Sequence, residues 1–182
     1  LRSRGLGDVY KRQGRVIVTL DAHKDMAMPP LPRLGIMLPV ERSMRHVTYY
    51  GYGPDESYID KREHCYVDMF QAEVEDLHEN YIRPQENGSH YHCRYVSLEN
   101  EKYRLLAEAD NYLDFNVSDY TVEELAGKRH NFELEPASGS LLSLDARMMG
   151  IGSNSCGPDL PEEFLRDEAH TVWKVQLQIE EL

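Results

Sequence analysis

The 182-residue chain lacks the features that mark secreted, membrane-spanning and disulfide-rich proteins. It has only three cysteines, an odd number that provides no disulfide framework, so we expect a reducing compartment, the cytoplasm. No apolar run approaches the roughly 18 residues that a transmembrane helix needs. No apolar stretch follows the basic first residues, as it would in a signal peptide. We therefore expect no membrane association.

Positive charge is also scarce, with 20 Lys and Arg against 32 Asp and Glu and a net charge of −12. Nucleic-acid binding relies on basic patches that neutralise phosphates, so this composition argues against a nucleic-acid partner. The charge is typical of a soluble surface. Hydrophobic residues make up 41% of the chain, which at this length is enough for one domain with its own core.

The first thirteen residues, LRSRGLGDVYKRQ, fit neither a helical nor a strand period. The bases GAT-GTG-TAT-AAG-AGA-CAG encode Asp8 to Gln13, and they resemble the end of a transposase adapter used to build sequencing libraries. We interpret residues 1–13 as an adapter artefact, to be left out of fold reasoning. The domain is then expected to occupy residues 14–182 and to be truncated on its N-terminal side.

From Gly14 onward, short alternating segments between Gly and Pro turns predict an all-β protein, an antiparallel sandwich or barrel. The predicted strands are RVIVTLDAH, RLGIMLPV, RHVTYYGYG, SHYHCRYVSLEN, YRLLAEADNYLDFNVS and AHTVWKVQLQIEEL. A short helix is predicted near Gln71–Leu77, and a hairpin around Pro136–Gly139. The spacing of Thr121 and Glu124 is that of a capping box, which predicts a helix that Gly127 ends.

Cys156 lies in the loop GIGSNSCGP, among small polar residues. It could be a nucleophile, a metal ligand or one wall of a pocket. A cysteine nucleophile needs a neighbouring base, and spacing alone places none of the eight histidines beside it. His90 and His92 are two residues apart on a predicted strand, so they would share a face and could form a metal-ligand pair. Spacing suggests no third ligand, so we expect no metal site.

Three blocks of the sequence resemble, in this order, the C-terminal domain of the bacterial β-galactosidases of glycoside hydrolase family 2, which also occurs as a separate small chain. Each block matches a family pattern through its glycines, prolines, aromatic and polar residues. The first uses Tyr50, Gly51, Gly53, Pro54, Glu56 and Tyr58, the second Tyr81, Pro84, Gln85, Glu86, Asn87 and Gly88, and the third Met149, Gly150, Gly152, Ser155, Gly157 and Pro158. The resemblance covers nearly all of residues 14–182.

The resemblance implies a large antiparallel sandwich similar to galactose mutarotases, and a retaining enzyme that hydrolyses terminal β-D-galactosides such as lactose. It implies that both catalytic carboxylates lie in a TIM-barrel domain that this chain lacks, so the chain alone is expected to be inactive. The Gly-rich loop would then form the aglycone side of the active site. Cys156 occupies the position of a sugar-stacking tryptophan, and we interpret it as a pocket-wall residue with Ser153, Asn154 and Ser155 as hydrogen-bond partners of sugar hydroxyls.

The remaining domains or a large subunit of the enzyme are the expected partners, together with the galactoside and further copies in an oligomer. No cofactor is expected in this chain, and any requirement for Mg or Na would fall on other domains. The alternative is a free-standing carbohydrate-binding module or a mutarotase-like sugar isomerase. An isomerase needs a positioned histidine and carboxylate, for which His90, His92 and Glu86 are the candidates.

Overall fold

The computed structural model describes residues 2–3, 9–10, 14–152, 157–165 and 167–182. Strands dominate, which confirms the predicted all-β class. The strands are β1 (Arg2–Ser3), β2 (Val9–Tyr10), β3 (Arg15–His23), β4 (Arg33–Val40), β5 (His46–Gly53), β6 (Tyr66–Glu73), β7 (Ser89–Glu99), β8 (Tyr103–Ser118), β9 (Ser140–Met148) and β10 (His170–Glu181). One α-helix, α1 (Val122–Gly127), and three 3-10 helices (Val74–Leu77, Asn131–Glu133 and Glu162–Phe164) complete the described elements. None of the described helices has the length and apolar character to span a membrane.

The described strands pair antiparallel in the order β1-β3-β10-β8-β7-β5-β6. The 16-residue strand β8 changes partner along its length. Its first half, Tyr103 to Ala109, pairs with β10, whereas its last residues, Asp114 to Ser118, pair with β9, which in turn pairs with β4. The sheet therefore divides at β8, and the two branches pack as an antiparallel sandwich.

One hydrophobic core joins the two branches of the sandwich. Leu142 and Leu144 of β9 and Trp173 and Val175 of β10 belong to the same buried cluster. The alternation predicted for β10 is confirmed in its first half, because Trp173 and Val175 are buried while Val172 and Lys174 are exposed. The strands predicted from RVIVTLDAH, RLGIMLPV and RHVTYYGYG correspond to β3, β4 and β5.

The sequence correctly predicts helix α1 and its cap. The Thr121 Oγ1 atom accepts a hydrogen bond from the Glu124 N–H at 3.0 Å, and the helix ends at Gly127. The short helix predicted near Gln71–Leu77 is confirmed only in its second half, and the predicted hairpin is wrong. Residues 71–73 belong to β6, since they pair with β5, and only Val74–Leu77 form a 3-10 helix. No hairpin forms at Pro136–Gly139, because β9 pairs with β8 and β4 instead.

Strict alternation along β7 is a further wrong prediction. Its pairing with β8 shifts register between His90 and Cys93 and again before Tyr95, and His92 has a φ of 59°. The Asp114 carboxylate holds this bulge, since it accepts hydrogen bonds from the His92 N–H at 2.8 Å and the Met148 N–H at 3.1 Å. His90 and Cys93, three residues apart, would face opposite sides of a regular strand, but both are buried.

Candidate functional site

The beginning of the Gly-rich loop is fastened to Asp60, a residue of the segment between β5 and β6. The Asp60 carboxylate accepts hydrogen bonds from the Ile151 N–H at 3.1 Å and the Gly152 N–H at 2.8 Å. Gly150 donates its N–H to the Phe164 carbonyl at 3.2 Å. A Cβ atom on Gly150 would lie 2.5 Å from the Asp60 Cγ atom, so this approach requires glycine. Gly152 has a φ of 66°, which also favours glycine.

The four residues predicted to contact substrate, Ser153, Asn154, Ser155 and Cys156, lie outside the described residues. Their role stays a prediction. Gly150–Gly152 and Gly157, which flank them, are described. The Asp60 contacts therefore locate where the loop leaves the sandwich, between β9 and the 3-10 helix Glu162–Phe164.

Next to Asp60 in the sequence, Lys61 takes part in a partly buried cluster that joins the first two family blocks. At its centre is Glu56, only 4% exposed, whose Oε2 atom accepts a hydrogen bond from the Gly88 N–H at 2.7 Å. Its Oε1 atom accepts from Lys61 Nζ at 2.5 Å and from the Tyr81 hydroxyl. Lys61 Nζ also lies 2.9 Å from the Tyr81 hydroxyl. We call these four residues, Glu56, Lys61, Tyr81 and Gly88, the Glu56 cluster.

The electrostatics of the Glu56 cluster keep Lys61 charged. Burial alone would lower the pKa of Lys61, but hydrogen bonds with Glu56 and Tyr81 outweigh it, and the pKa of Lys61 is raised. The pKa of Tyr81 is raised by burial and by its hydrogen bond to Glu56. Glu56 beside a charged amine and a neutral phenol is a structural anchor, because both of its carboxylate oxygens accept hydrogen bonds from groups of the protein.

A second buried ion pair ties β4 to β9 beneath the second family block. Arg33 Nε lies 2.9 Å from Asp145 Oδ2, and Arg33 Nη1 lies 3.5 Å from Glu86 Oε2. Burial raises the pKa of Asp145 to about 7 even though Arg33 opposes the shift. Burial likewise raises the pKa of Glu86, against the same guanidinium. Glu86 also borders a cleft of about 380 Å³ that Arg83, Pro84, Gln85, Val122, Leu125 and Ala126 complete.

The three residues proposed for an isomerase lie in different environments. His90 is 1% exposed, stacks on Phe115 at 4.9 Å between ring centroids, and has its pKa lowered to about 4 by burial. His92 instead stacks on Tyr112 at 3.4 Å. Glu86 pairs with Arg33. The bulge in β7 also removes the shared face on which a His90–His92 metal pair depended, so the geometry favours neither site.

The structure brings together residues that the sequence left apart. No role is predicted for Asp60 from the sequence, and its partners follow about ninety residues later in the chain. The one available signal is position, since Asp60 and Lys61 lie within three residues of Tyr58, the last residue of the first family block. Asp21, His23 and His170 were also left apart by the sequence, and the pairing of β3 with β10 brings them together.

Comparison with known proteins identifies the family. The family model described as "Beta galactosidase small chain" matches residues 8–178. A β-galactosidase of Actinobacillus pleuropneumoniae is 40% identical over 151 residues, which cover 83% of this chain and 15% of that protein. A β-galactosidase of Staphylococcus xylosus is 38% identical over 168 residues, covering 92% of this chain and 17% of that protein. The chain thus spans about a sixth of the length of these relatives, and it belongs to the β-galactosidase small chain family.

Proposed function

We propose that this chain is the C-terminal sandwich domain of a cytoplasmic, retaining β-galactosidase that hydrolyses terminal β-D-galactosides such as lactose. In this proposal the domain shapes the aglycone side of the active site. The acid and the nucleophile belong to a barrel domain elsewhere in the enzyme, which forms a glycosyl-enzyme intermediate. The partners of the chain are the remaining domains or a large subunit.

The observation that carries the proposal is the attachment of the Gly-rich loop to Asp60. Asp60 holds Ile151 and Gly152 of the third family block, and the adjacent Lys61 holds Glu56 of the first block. Glu56 in turn binds Gly88 of the second block. The three blocks that define the family therefore meet at one end of the sandwich, which we propose faces the sugar cleft.

Within this end of the domain, Asp60 would act as a positioning residue. Two N–H groups on one carboxylate fix the backbone at Ile151 and Gly152, where the loop begins. Ser153, Asn154 and Ser155 would offer hydroxyl and amide groups to sugar hydroxyls. Cys156 would supply a small apolar wall beside the aglycone, in place of an aromatic platform.

The buried carboxylates of the described residues support a catalytic pair located elsewhere. Glu56 binds a lysine and a backbone N–H, Asp114 binds two backbone N–H groups, and Asp145 binds Arg33. Each of these carboxylates is thus bonded to groups of the domain itself. Retaining glycosidases instead hold two carboxyl groups roughly 5–5.5 Å apart, facing the scissile bond.

The test is to transfer residues 14–182 into the Actinobacillus pleuropneumoniae enzyme in place of the segment that they match. We expect the chimera to hydrolyse lactose and a chromogenic β-galactoside, and the chain alone to hydrolyse neither. Turnover by the pure chain, or an inactive chimera that folds, contradicts the proposal.

In the chimera, Asp60→Ala should raise KM for lactose several-fold and change the ratio of transglycosylation to hydrolysis, since it releases two backbone N–H groups of the loop. The matched control is Asp68→Ala, at an exposed position of β6, which should leave both quantities unchanged. Equal kinetics for the two variants would refute the role of Asp60.

A further inference from the structure

Three metal-ligating side chains meet on the outer face of the β3–β10 pair. His170 lies directly opposite His23 in the register, and Asp21 precedes His23 by two residues, so all three point to the same side. The His170 Nε2 atom lies 2.8 Å from Asp21 Oδ1, and the His23 Nε2 atom lies 3.5 Å from the same oxygen. The ligand atoms of the three residues all lie within 4.8 Å of one another.

The two strands that carry the trio are held together by continuous pairing and by burial of their other face. β3 and β10 pair continuously over nine positions, from His170 opposite His23 to Gln178 opposite Arg15. Ala22 and Thr171, which face the other side, are 4% and 8% exposed. The two imidazole rings stack at 4.1 Å between centroids with an interplanar angle of 5°. The Nε2 atoms therefore both point at the Asp21 carboxylate rather than in separate directions.

The charge of Lys24 does not oppose a cation at this place. Lys24, the residue after His23, directs its amine to the Asp167 carboxylate and the Met28 carbonyl. The charge of Lys24 is therefore paired with Asp167 in a side chain that is only 5% exposed, and it is not directed at the trio.

We propose that Asp21, His23 and His170 form a binding site for a divalent transition metal, with Zn²⁺ as the best-matched ion. Two imidazoles and one carboxylate are a common Zn²⁺ ligand set, with bonds of about 2.0–2.2 Å. A tetrahedral ion then needs ligand atoms about 3.3 Å apart, and the N–O separations of 2.8 and 3.5 Å in the structure lie on either side of that value. Water completes the coordination, since all three residues are partly exposed.

The ligand set also determines the ion selectivity of the site. Mg²⁺ and Ca²⁺ favour sites built from oxygen atoms, so they should bind weakly. Co²⁺ and Ni²⁺ accept imidazole and should bind as Zn²⁺ does. A bound ion would fasten β3 to β10, the first and last long strands of the chain. The proposal stands apart from the galactosidase proposal, because it concerns other residues, on the β3–β10 pair, and needs no substrate.

The test uses the full chain, titrated calorimetrically with Zn²⁺ and spectroscopically with Co²⁺ at slightly alkaline pH. Wild type should bind one ion, and His23→Gln and His170→Gln should each weaken that binding at least tenfold. Mg²⁺ should give no heat. Circular dichroism checks that each variant is folded, which these exposed substitutions should allow.

His46→Gln is the matched control. The His46 Nδ1 atom lies 3.0 Å from Glu73 Oε1, and the two side chains are about as exposed as the trio, at 46% and 45%. This pair tests whether replacing any surface histidine beside a carboxylate weakens Zn²⁺ binding. The proposal predicts wild-type Zn²⁺ affinity for His46→Gln. Equal losses in all three variants, or no loss in His23→Gln and His170→Gln, would overturn it.

Discussion

Replacing Glu56 with alanine removes the centre of the cluster that joins two of the family blocks. Three groups lose their acceptor, namely the Gly88 N–H, the Lys61 amine and the Tyr81 hydroxyl. These groups differ in how well water can replace the carboxylate. The Lys61 side chain is 39% exposed and can regain hydration, whereas Gly88 is buried. The unpaired Gly88 N–H is therefore the largest single loss.

The magnitude follows from these contacts. A buried N–H without a partner costs about 1–3 kcal/mol. The lost charge-assisted contact with Lys61 and the small cavity bring the expected loss for Glu56→Ala to about 3 kcal/mol in the free energy of unfolding. For a chain of this length, that corresponds to a fall in Tm of roughly 6–12 °C. Glu56→Gln keeps an acceptor for Gly88 and should lose only about 1–2 kcal/mol.

Urea denaturation followed by circular dichroism measures these losses, with calorimetry for Tm. Glu63→Ala is the control, because Glu63 is an exposed residue of the same segment, and its effect should stay within about 0.5 kcal/mol. Equal stabilities of Glu56→Ala and Glu63→Ala would refute the reasoning that the cluster anchors this end of the domain.

Three further predictions concern other parts of the domain. Burial lowers the pKa of His90 to about 4, so the stability that neutral His90 contributes is complete above about pH 6.5 and is lost as the pH falls toward 4. Between pH 7 and pH 4, the free energy of unfolding in urea titrations should fall on the order of 3 kcal/mol more for wild type than for His90→Phe. Gly88→Ala should lower Tm, because Gly88 has a φ of 69° and its Cβ would lie 2.3 Å from the Leu77 carbonyl oxygen, while Gly127→Ala, which meets open space, should not. The edge strand β6 exposes Val67 and Met69, so the chain should self-associate in size-exclusion chromatography, and a sharp monomeric peak for wild type would contradict this. The double variant Val67→Lys, Met69→Lys should restore a monomer, whereas the control Val172→Lys, on another strand, should not.

Much of the fold could be predicted because local periodicity and burial agree. The alternation of Trp173 and Val175 with exposed neighbours is typical of a half-buried strand. Thr121, three residues before Glu124, is typical of a helix N-cap, and it forms that cap. The failures have non-local causes. The bulge at His92 depends on the Asp114 carboxylate, 22 residues away. Gln71 lies in a stretch that was predicted to be helical, but Gln71, Ala72 and Glu73 pair with β5 instead.

The site shows the same division. The glycines of the third block predict a tight loop from their chemistry, and Gly150 and Gly152 meet that expectation. Asp60 could not be assigned, since a carboxylate in a turn gives no sign of which distant N–H groups it binds. The trio of Asp21, His23 and His170 depends on strand register, which places His170 opposite His23 across a separation of 147 residues.

The most direct measurement of the central claim is protection of Cys156 in the active chimera. N-Ethylmaleimide labelling, quantified by mass spectrometry of the peptides, compares Cys156 with half-buried Cys65 and buried Cys93 as internal references. A saturating, non-hydrolysable thiogalactoside with a bulky aglycone should slow labelling of Cys156 several-fold and leave Cys65 unchanged. If Cys156 reacts at the same rate with and without the thiogalactoside, the loop does not form the aglycone side of the sugar cleft.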